Sequence, residues 1–276
     1  MRREITGFSN PLLKEVRGLR EKKHRKRAGL FLAEGLRIMT EARDAGFLPE
    51  MLFRVKDRDV HALEISLETE VLAAGGDVVE TSAEIMAKLS GKDNAQALVG
   101  VYKDHPTMLS EIDRKKSPIW LVAQAMRDPG NLGTMLRTGD AVGAGGLILI
   151  DDCTDPFSVE AVRASMGAIF TQKVVQCRWD EFLPWLRAGE GKLVGTSLQT
   201  DLDYQAATYA APCFILTGNE AQGLPESYEA QCDIRVKMPM RGKADSLNAA
   251  VATAVMAYEV LNQFRAAQSN LSGRST

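Results

Sequence analysis

Short apolar runs alternate with amphipathic stretches along the first hundred residues. Four short apolar runs predict strands, whereas spacings of three and four between apolar positions predict helices. The predicted strands are Leu30–Ala33, Met51–Val55, Val78–Glu80 and Ala97–Tyr102. The predicted helices lie near Leu36–Ala45, Val60–Ala74 and Ala83–Leu89. This pattern indicates a small α/β domain over residues 1–103.

Residues 104–118 interrupt this pattern with two prolines, several charges and few large apolar side chains, which is typical of a linker. A second domain is predicted over residues 119–276, where buried strands again alternate with helices. These strands are Ile119–Gln124, Gly146–Asp151, Lys173–Cys177, Lys192–Ser197, Cys213–Thr217 and Ile234–Met238. Apolar strands separated by helices predict a parallel sheet covered on both faces.

The last helix has the clearest helical periodicity in the chain. Its apolar positions predict one continuous stripe, formed by Leu247, Val251, Ala254, Val255, Tyr258 and Leu261.

Composition places the chain among globular proteins. Of its 276 residues, 45% are apolar and 25% charged, and no apolar run reaches the ~18 residues that a membrane-spanning helix requires. The charged N-terminus lacks the apolar core of a signal peptide, so we expect a cytoplasmic location without a membrane partner. The four cysteines are widely spaced and the three histidines lie elsewhere, so we expect buried or incidental thiols and no metal site.

Positive charge is concentrated near the N-terminus, although the net charge is only −2. Residues 14–27 hold eight Lys or Arg against two Glu. Such a run fits either a phosphate-binding surface or a solvated helix face. The candidate RNA contacts are Lys22, Lys23, Arg25, Lys26 and Arg27.

Three loops follow predicted strands at the edge where parallel sheets bind ligands. The first, residues 127–133, combines turn residues with a cap candidate, Asn131, and precedes a helix that carries Arg137. The second, residues 218–225, has Glu220 between two glycines. It matches neither a Walker loop nor a dinucleotide-binding loop. Taken alone, each loop is also compatible with a plain turn or a flexible connection.

The third loop, residues 238–248, leads into the last helix. Either Asp245 or Ser246 is a candidate cap for that helix, and Asn248 in its first turn can point back towards the other loops. Two methionines in this loop are compatible with core packing or with the floor of an adenine pocket.

Together, the three loops resemble the three motifs of the SpoU family of RNA methyltransferases. The first is similar to N-x-G-x-x-x-R (Asn131, Gly133, Arg137), the second to G-N-E-x-x-G-L (218–224), and the third to P-M-x-G-x-x-x-S-L-N (239–248). A fourth segment, residues 163–170, also resembles the family. The N-terminal half resembles the ribosomal-protein-like RNA-binding domain that often precedes this catalytic domain.

This resemblance implies a fold and an activity. The fold would be a parallel α/β sheet with a C-terminal trefoil knot, as in the SPOUT superfamily, an exception to the rule against threaded chains. The activity would be transfer of a methyl group from S-adenosylmethionine to a ribose 2′-hydroxyl in RNA, without a metal. Family members are usually homodimers, so we expect a homodimer.

The resemblance also implies site residues. The donor would be held by Thr217, Gly218, Asn219, Gly223, Met238, Met240, Ser246 and Leu247. The catalytic set would be Asn131, Arg137, Glu220, Ser246 and Asn248. Because a guanidinium is effectively always protonated, we expect Arg137 to bind a phosphate and to stabilise the developing alkoxide rather than to act as a base.

Four alternatives stay open at this point. The RNA is expected to be ribosomal, with transfer RNA as the second possibility. A non-catalytic RNA-binding protein of the same fold would bind no donor. A base methyltransferase of the same superfamily is disfavoured by the ribose-type motifs, and an unrelated nucleotide-binding enzyme by the lack of a phosphate loop.

Overall fold

The computed structural model describes residues 1–91 and 95–272. The chain forms two compact units. The first consists of residues 1–105 and 155–171, and the second of residues 106–154 together with the residues from 172 onward. Segment 155–171 therefore packs in the first unit, although it lies inside the stretch that we assign to the second domain.

The strands are β1 (Arg2–Ile5), β2 (Leu30–Glu34), β3 (Met51–Val55), β4 (Asp77–Thr81), β5 (Leu98–Lys103), β6 (Ile119–Gln124), β7 (Gly146–Ile150), β8 (Lys173–Cys177), β9 (Lys192–Thr196), β10 (Cys213–Thr217) and β11 (Ile234–Val236). The helices are α1 (Pro11–Gly18), α2 (Lys22–Ala28), α3 (Leu36–Asp44), α4 (Ala62–Ala73), α5 (Ala83–Ser90), α6 (Pro129–Val142), α7 (Val159–Ser165), α8 (Trp179–Arg187), α9 (Glu226–Glu229) and α10 (Ala249–Ser272). Short 3₁₀ turns occur at Leu109–Glu111, Arg114–Lys116 and Ala168–Phe170.

The first unit contains a five-stranded mixed sheet in the order β1-β4-β3-β5-β2. Strands β1, β3 and β4 run parallel, and β5 is antiparallel to both of its neighbours. The four predicted strands are all present. Strand β1 is an addition that its polar sequence concealed, because it lies at the sheet edge with only Ile5 buried.

An aromatic cluster fills one side of the first unit. Phe31 lies 5.0 Å from Phe157 and 5.7 Å from Phe170, measured between ring centroids, and Phe170 lies 4.9 Å from Tyr102. Two of these rings come from segment 155–171. Burial of this aromatic surface explains why the segment belongs to the first unit.

The second unit contains a six-stranded sheet in the order β11-β9-β10-β6-β7-β8. Every pairing is parallel, as predicted. Helix α8 packs through Phe182 and Leu186 on the face that carries Trp120, whereas α6 packs on the face that carries Leu121. The predicted parallel sheet is thus confirmed, and the trefoil knot stays a prediction.

Helix α10 is apolar on two faces, and the core covers only one of them. Its buried side chains are Ala249, Ala250, Thr253, Met256, Ala257 and Val260. The apolar stripe identified in the sequence is separate from this buried set, and it is partly open, since Val251 is 47% exposed and Tyr258 54%.

Candidate active site

The sheet of the second unit has a switch point between β6 and β10, which are neighbours although the chain leaves β6 towards β7 on its other side. Thr217 pairs with Ala123 at the carboxyl end of the two strands. Ligands of open parallel sheets bind at such a point. The loops after β6 and β10 therefore begin side by side, as their sequences predicted.

A cavity of about 670 Å³ opens at this edge of the sheet, within the ~300–1,000 Å³ range of ligand pockets. All eight residues predicted to hold the donor line it: Thr217, Gly218, Asn219, Gly223, Met238, Met240, Ser246 and Leu247. The structure thus brings the second and third loops together around one cavity.

The same cavity has walls that sequence reasoning missed. Residues 196–199, at the carboxyl end of β9 and just after it, form one wall. Glu226, Glu229 and Arg235 add charges to the lining. The strand order explains why this segment reaches the cavity, because β9 pairs with β10 and ends at the same edge of the sheet.

Position 218 requires glycine because the backbone of residues 223 and 224 passes very close to it. A Cβ atom there would lie 2.3 Å from the carbonyl carbon of Gly223 and 2.4 Å from the backbone nitrogen of Leu224. Gly223 itself has a φ of +69°, a conformation that glycine adopts without strain. The two glycines of the second loop therefore let it fold back tightly on itself beside the cavity.

The carboxylate of Glu220 joins the second loop to the first. It accepts hydrogen bonds from the backbone N–H groups of Arg127 (3.3 Å) and Asp128 (3.2 Å) and from the Asn131 side chain (3.0 Å). Burial raises the pKa of this carboxyl, but the hydrogen bonds from Asn131 and the backbone outweigh it, so the pKa is lowered. Glu220 is thus held as a carboxylate and is a weak base.

Asn131 extends this connection to the third loop. Its Oδ1 atom accepts a hydrogen bond from Nδ2 of Asn248 at 2.8 Å. The Oδ1 atom of Asn248 accepts from the backbone N–H groups of Ala250 (3.0 Å) and Val251 (3.3 Å) at the start of α10. One chain of hydrogen bonds, Glu220–Asn131–Asn248, therefore links all three predicted loops.

Two predicted helix caps are wrong. Asp128 rather than Asn131 caps α6, because its carboxylate accepts from the Asn131 N–H at 2.8 Å and Pro129 occupies the first helical position. Asn248, rather than Asp245 or Ser246, accepts from the first N–H groups of α10. Both asparagines thus serve the hydrogen-bond chain, and Ser246 lines the cavity.

Arg137 lies on the exposed side of α6, nearly two turns after Asn131. Within residues 1–91 and 95–272 its guanidinium makes no ion pair or hydrogen bond, and it is absent from the cavity lining. A structural pairing with Asp140 or Glu220 is therefore not observed. The structure leaves this charge available to a molecule outside the chain.

A buried hydroxyl pair fixes Thr217 at the end of β10. Its Oγ1 lies 2.8 Å from Oγ1 of Thr253, which donates in turn to the Ala249 carbonyl at 2.8 Å. Because Thr253 already donates its hydrogen, Thr217 donates to Thr253 and keeps only acceptor capacity. Helix α10 thus orients a polar group in the cavity wall.

The four cysteines are free; Cys153 and Cys213 are buried, and Cys177 and Cys232 are partly buried. Burial raises the pKa of Cys153 to about 11 and that of Cys213 to about 12, so both are protonated thiols at neutral pH. No cluster of three or more metal-binding side chains occurs in the described parts of the chain.

The basic stretch of the first unit forms two helices, α1 and α2, rather than one. Four of the five candidate RNA contacts are exposed on α2: Lys22, Lys23, Lys26 and Arg27. Arg25 is the exception, because it is 5% exposed and bonds Asp155 through Nε (3.0 Å) and Nη2 (2.7 Å), as well as two backbone carbonyls. The prediction that Arg25 contacts RNA is therefore wrong, and Arg25 holds segment 155–171 in place.

Comparison with known proteins agrees with this geometry. The model of the SpoU rRNA methylase family matches residues 118–258, slightly more than half of the chain. This chain belongs to the SpoU rRNA methylase family. A second model, the MRM3-like substrate-binding domain, matches residues 10–100.

Several relatives of this protein align with it over most of their length. The 23S rRNA (guanosine(2553)-2′-O)-methyltransferase RlmP of Bacillus subtilis is 28% identical, over 94% of this chain and 99% of the relative. The 23S rRNA (uridine(2479)-2′-O)-methyltransferase of Streptomyces viridochromogenes is 30% identical, over 87% and 85%. An AdoMet-bound rRNA methyltransferase from Sinorhizobium meliloti is 35% identical with a TM-score of 0.87, over 94% of this chain and 97% of that structure.

No helix in the described ranges has the length and apolarity needed to cross a membrane.

Proposed function

We propose that this protein transfers a methyl group from S-adenosylmethionine to the 2′-hydroxyl of a ribose in ribosomal RNA. The observation that carries the proposal is the cavity at the switch point of a SpoU-family sheet, whose loops are joined by the Glu220–Asn131–Asn248 chain. Two relatives that align over most of this chain are named as 23S rRNA 2′-O-methyltransferases.

The cavity suits the donor in volume and charge. Its lining carries the carboxylates of Glu220, Glu226 and Glu229 and the guanidinium of Arg235. When bound, S-adenosylmethionine supplies an electrophilic methyl group on a positively charged sulfonium. The carboxylates favour that charge, and Arg235 is the cation available to the donor's own carboxylate. The backbone cradle at Gly218 and Gly223 and the apolar side chains of the third loop complete the proposed donor site.

The predicted catalytic residues divide into two roles. Asn131, Glu220 and Asn248 bond to one another, so we assign them to positioning the three loops. Arg137 has no partner of its own in the described ranges, and we propose that it binds the phosphate beside the target ribose and stabilises negative charge on the reacting oxygen. Holding that oxygen in line with the methyl group is a large part of such catalysis. Ser246 belongs to the donor cavity.

We propose that residues 1–103 form the substrate-binding domain and that residues 119–276 form the methyltransferase domain, joined by the linker 104–118. The MRM3-like match supports the first assignment. The exposed cations of α2 would supply phosphate contacts. A cytoplasmic location fits an enzyme that modifies ribosomal RNA.

We propose a homodimer formed through α10. The face of α10 that carries Val251 and Tyr258 is apolar and substantially exposed, and Ala254 and Val255 lie between them along the helix. Burying this face against its copy removes apolar surface from water. Replacing Tyr258 with glutamate should convert a dimer into a monomer in sedimentation equilibrium. A wild-type monomer, or a dimer that survives Tyr258→Glu, would contradict the proposal.

The test of the activity compares RNA substrates directly. Purified protein with radiolabelled donor should label the 2′-hydroxyl of ribosomal RNA, and mapping should place the label at one nucleotide. Deletion of the gene should remove that methyl group from total RNA. Label in transfer RNA alone would favour the second substrate class, and donor binding without transfer to either RNA would refute the proposed activity.

A further inference from the structure

A small basic pocket lies on the first unit, between α1, the loop before it and α5. It encloses about 120 Å³ and is lined by Phe8, Lys14, Arg17 and Lys88. This volume is well below the ~300 Å³ of the smallest usual metabolite pockets. The pocket therefore suits a single planar or phosphate group of a longer ligand.

Positive charge in this pocket has no acidic counterpart. None of the lining residues is acidic, and the three cations form no ion pair within the part of the chain that the structure describes. Lys14 and Arg17 are exposed one turn apart on α1, and Lys88 is exposed on α5. Three converging unpaired cations favour a polyanionic ligand.

Phe8 gives the pocket an aromatic surface. Its side chain is 52% exposed, and the ammonium of Lys88 lies over the ring, 3.9 Å from the centroid. In the described residues, no other aromatic ring contacts it. A solitary exposed phenylalanine needs no explanation, but one beside three unpaired cations has the two elements of a single-strand nucleic-acid site, a stacking surface and a charged groove.

The backbone holds Phe8 in place. The Asn10 N–H donates to the Gly7 carbonyl at 3.2 Å, and the Asn10 side chain accepts from Leu12 at the start of α1. Ile85 and Leu89, both 1% exposed, form the apolar base of the pocket on α5. The ring is thus presented on a capped turn beside a packed core.

We propose that Phe8, Lys14, Arg17 and Lys88 form a subsite for one unpaired nucleotide of the RNA substrate. The base stacks on the face of the Phe8 ring opposite Lys88, and its flanking phosphates contact Lys14 and Arg17. This subsite is separate from the exposed cations of α2, and it rests on the proposed function because it requires an RNA substrate.

The test measures binding of a fluorescein-labelled single-stranded RNA oligonucleotide to the full chain by anisotropy. Phe8→Leu keeps an apolar side chain and removes the aromatic face. It should weaken binding by ~5- to 140-fold, the range for loss of one stacked base. The slope of log affinity against log salt should not change. Ile65→Ala, at a position that is 56% exposed on α4, is the matched control and should bind like wild type.

The double variant Lys14→Ala/Arg17→Ala tests the charges. Each phosphate that the protein no longer binds should reduce the salt slope by ~0.7, so a reduction of ~1.4 is expected. Lys103→Ala is the control, because Lys103 is 73% exposed and is absent from the pocket lining. Melting temperature and donor binding of every variant verify that the chain is folded.

Two results would overturn the subsite. One is a folded Phe8→Leu variant that binds RNA like wild type, and the other is an unchanged salt slope in the double variant. If the wild-type protein methylates RNA, either result refutes the subsite and leaves the proposed function intact. If the variants weaken oligonucleotide binding as expected but the wild-type protein methylates no RNA, the proposed function is refuted instead.

Discussion

Removal of the Arg137 side chain should leave the stability of the protein almost unchanged. The guanidinium is exposed and has no hydrogen-bond or ion-pair partner among the described residues. Surface substitutions of this kind change the free energy of unfolding by less than about 0.5 kcal/mol. For a domain of this size, that corresponds to at most ~2 °C in melting temperature.

Methyl transfer by Arg137→Ala should nevertheless fall strongly. Loss of one preorganised donor to a developing oxyanion typically lowers the rate by ~10²–10³, or ~2.7–4 kcal/mol in activation free energy. Donor affinity should stay within a factor of two to three of wild type, roughly the uncertainty of a surface substitution. The reason is that Arg137 is absent from the cavity lining. Arg137→Lys should recover only part of the rate, because an ammonium lacks the planar two-pronged geometry of a guanidinium.

The assay combines three measurements on each variant. Single-turnover transfer of a radiolabelled methyl group gives the rate, calorimetry gives donor affinity, and thermal unfolding gives stability. Lys192→Ala is a suitable control, because Lys192 begins β9 at the opposite edge of the sheet and is 55% exposed. It should be normal in all three measurements.

The reasoning about Arg137 would be refuted by a fully active Arg137→Ala variant. It would equally be refuted if the loss of activity followed a loss of folding or of donor binding.

Further predictions concern the hydrogen-bond chain, the buried ion pair and the basic helix. Asn131→Ala should reduce the free energy of unfolding by ~1–3 kcal/mol in urea, since it removes two hydrogen bonds of ~0.5–1.5 kcal/mol each. An unchanged free energy of unfolding would mean that these hydrogen bonds do not stabilise the fold. Because the folded protein lowers the pKa of Glu220, its carboxylate stabilises the fold above the unfolded-state pKa, and this contribution disappears as pH falls through the folded-state pKa. The stability lost in Glu220→Gln should therefore be largest near neutral pH and shrink in acid. Urea unfolding of wild type and variant across this pH range measures the difference in stability, and a difference that does not depend on pH would contradict the prediction. Asp155→Ala leaves Arg25 buried without its partner and should cost ~3–5 kcal/mol, whereas Lys26→Ala on the exposed side of α2 should be near neutral in the same measurement. Charge reversal of Lys22, Lys23, Lys26 and Arg27 should flatten the salt dependence of RNA binding by ~0.7–0.9 for each phosphate that is no longer bound, and an unchanged slope would make this a solvated helix face.

Local sequence pattern was sufficient for most strands and for the position of the site. Apolar runs predicted every strand except β1, whose polar residues lie at an edge. Turn residues and glycines after β6, β10 and β11 predicted which loops matter, because parallel strands end at one edge of a sheet. The cap of α6 was assigned wrongly to Asn131, although Pro129 at the first helical position places the cap on Asp128.

Buried polar partnerships could not be predicted from local pattern. Arg25 looks like its exposed neighbours in sequence, and only the packing of segment 155–171 gives it Asp155 as a partner 130 residues away. The two apolar faces of α10 have similar periodicity, and only the neighbouring sheet and α6 decide which one is buried.

The sequence by itself determined the family, the parallel sheet, the three loops and eight of the residues that line the proposed donor cavity, because these depend on side-chain type and spacing within short segments. The tertiary structure decided how those residues act. Asn131 lies 89 residues from Glu220 and 117 from Asn248, and the three meet only because the sheet places β6 beside β10 and α10 beside α6. That arrangement links the two asparagines and the glutamate in one chain of hydrogen bonds and leaves Arg137 without a partner among the described residues. Such a distinction depends on distances between remote segments, which no local pattern contains.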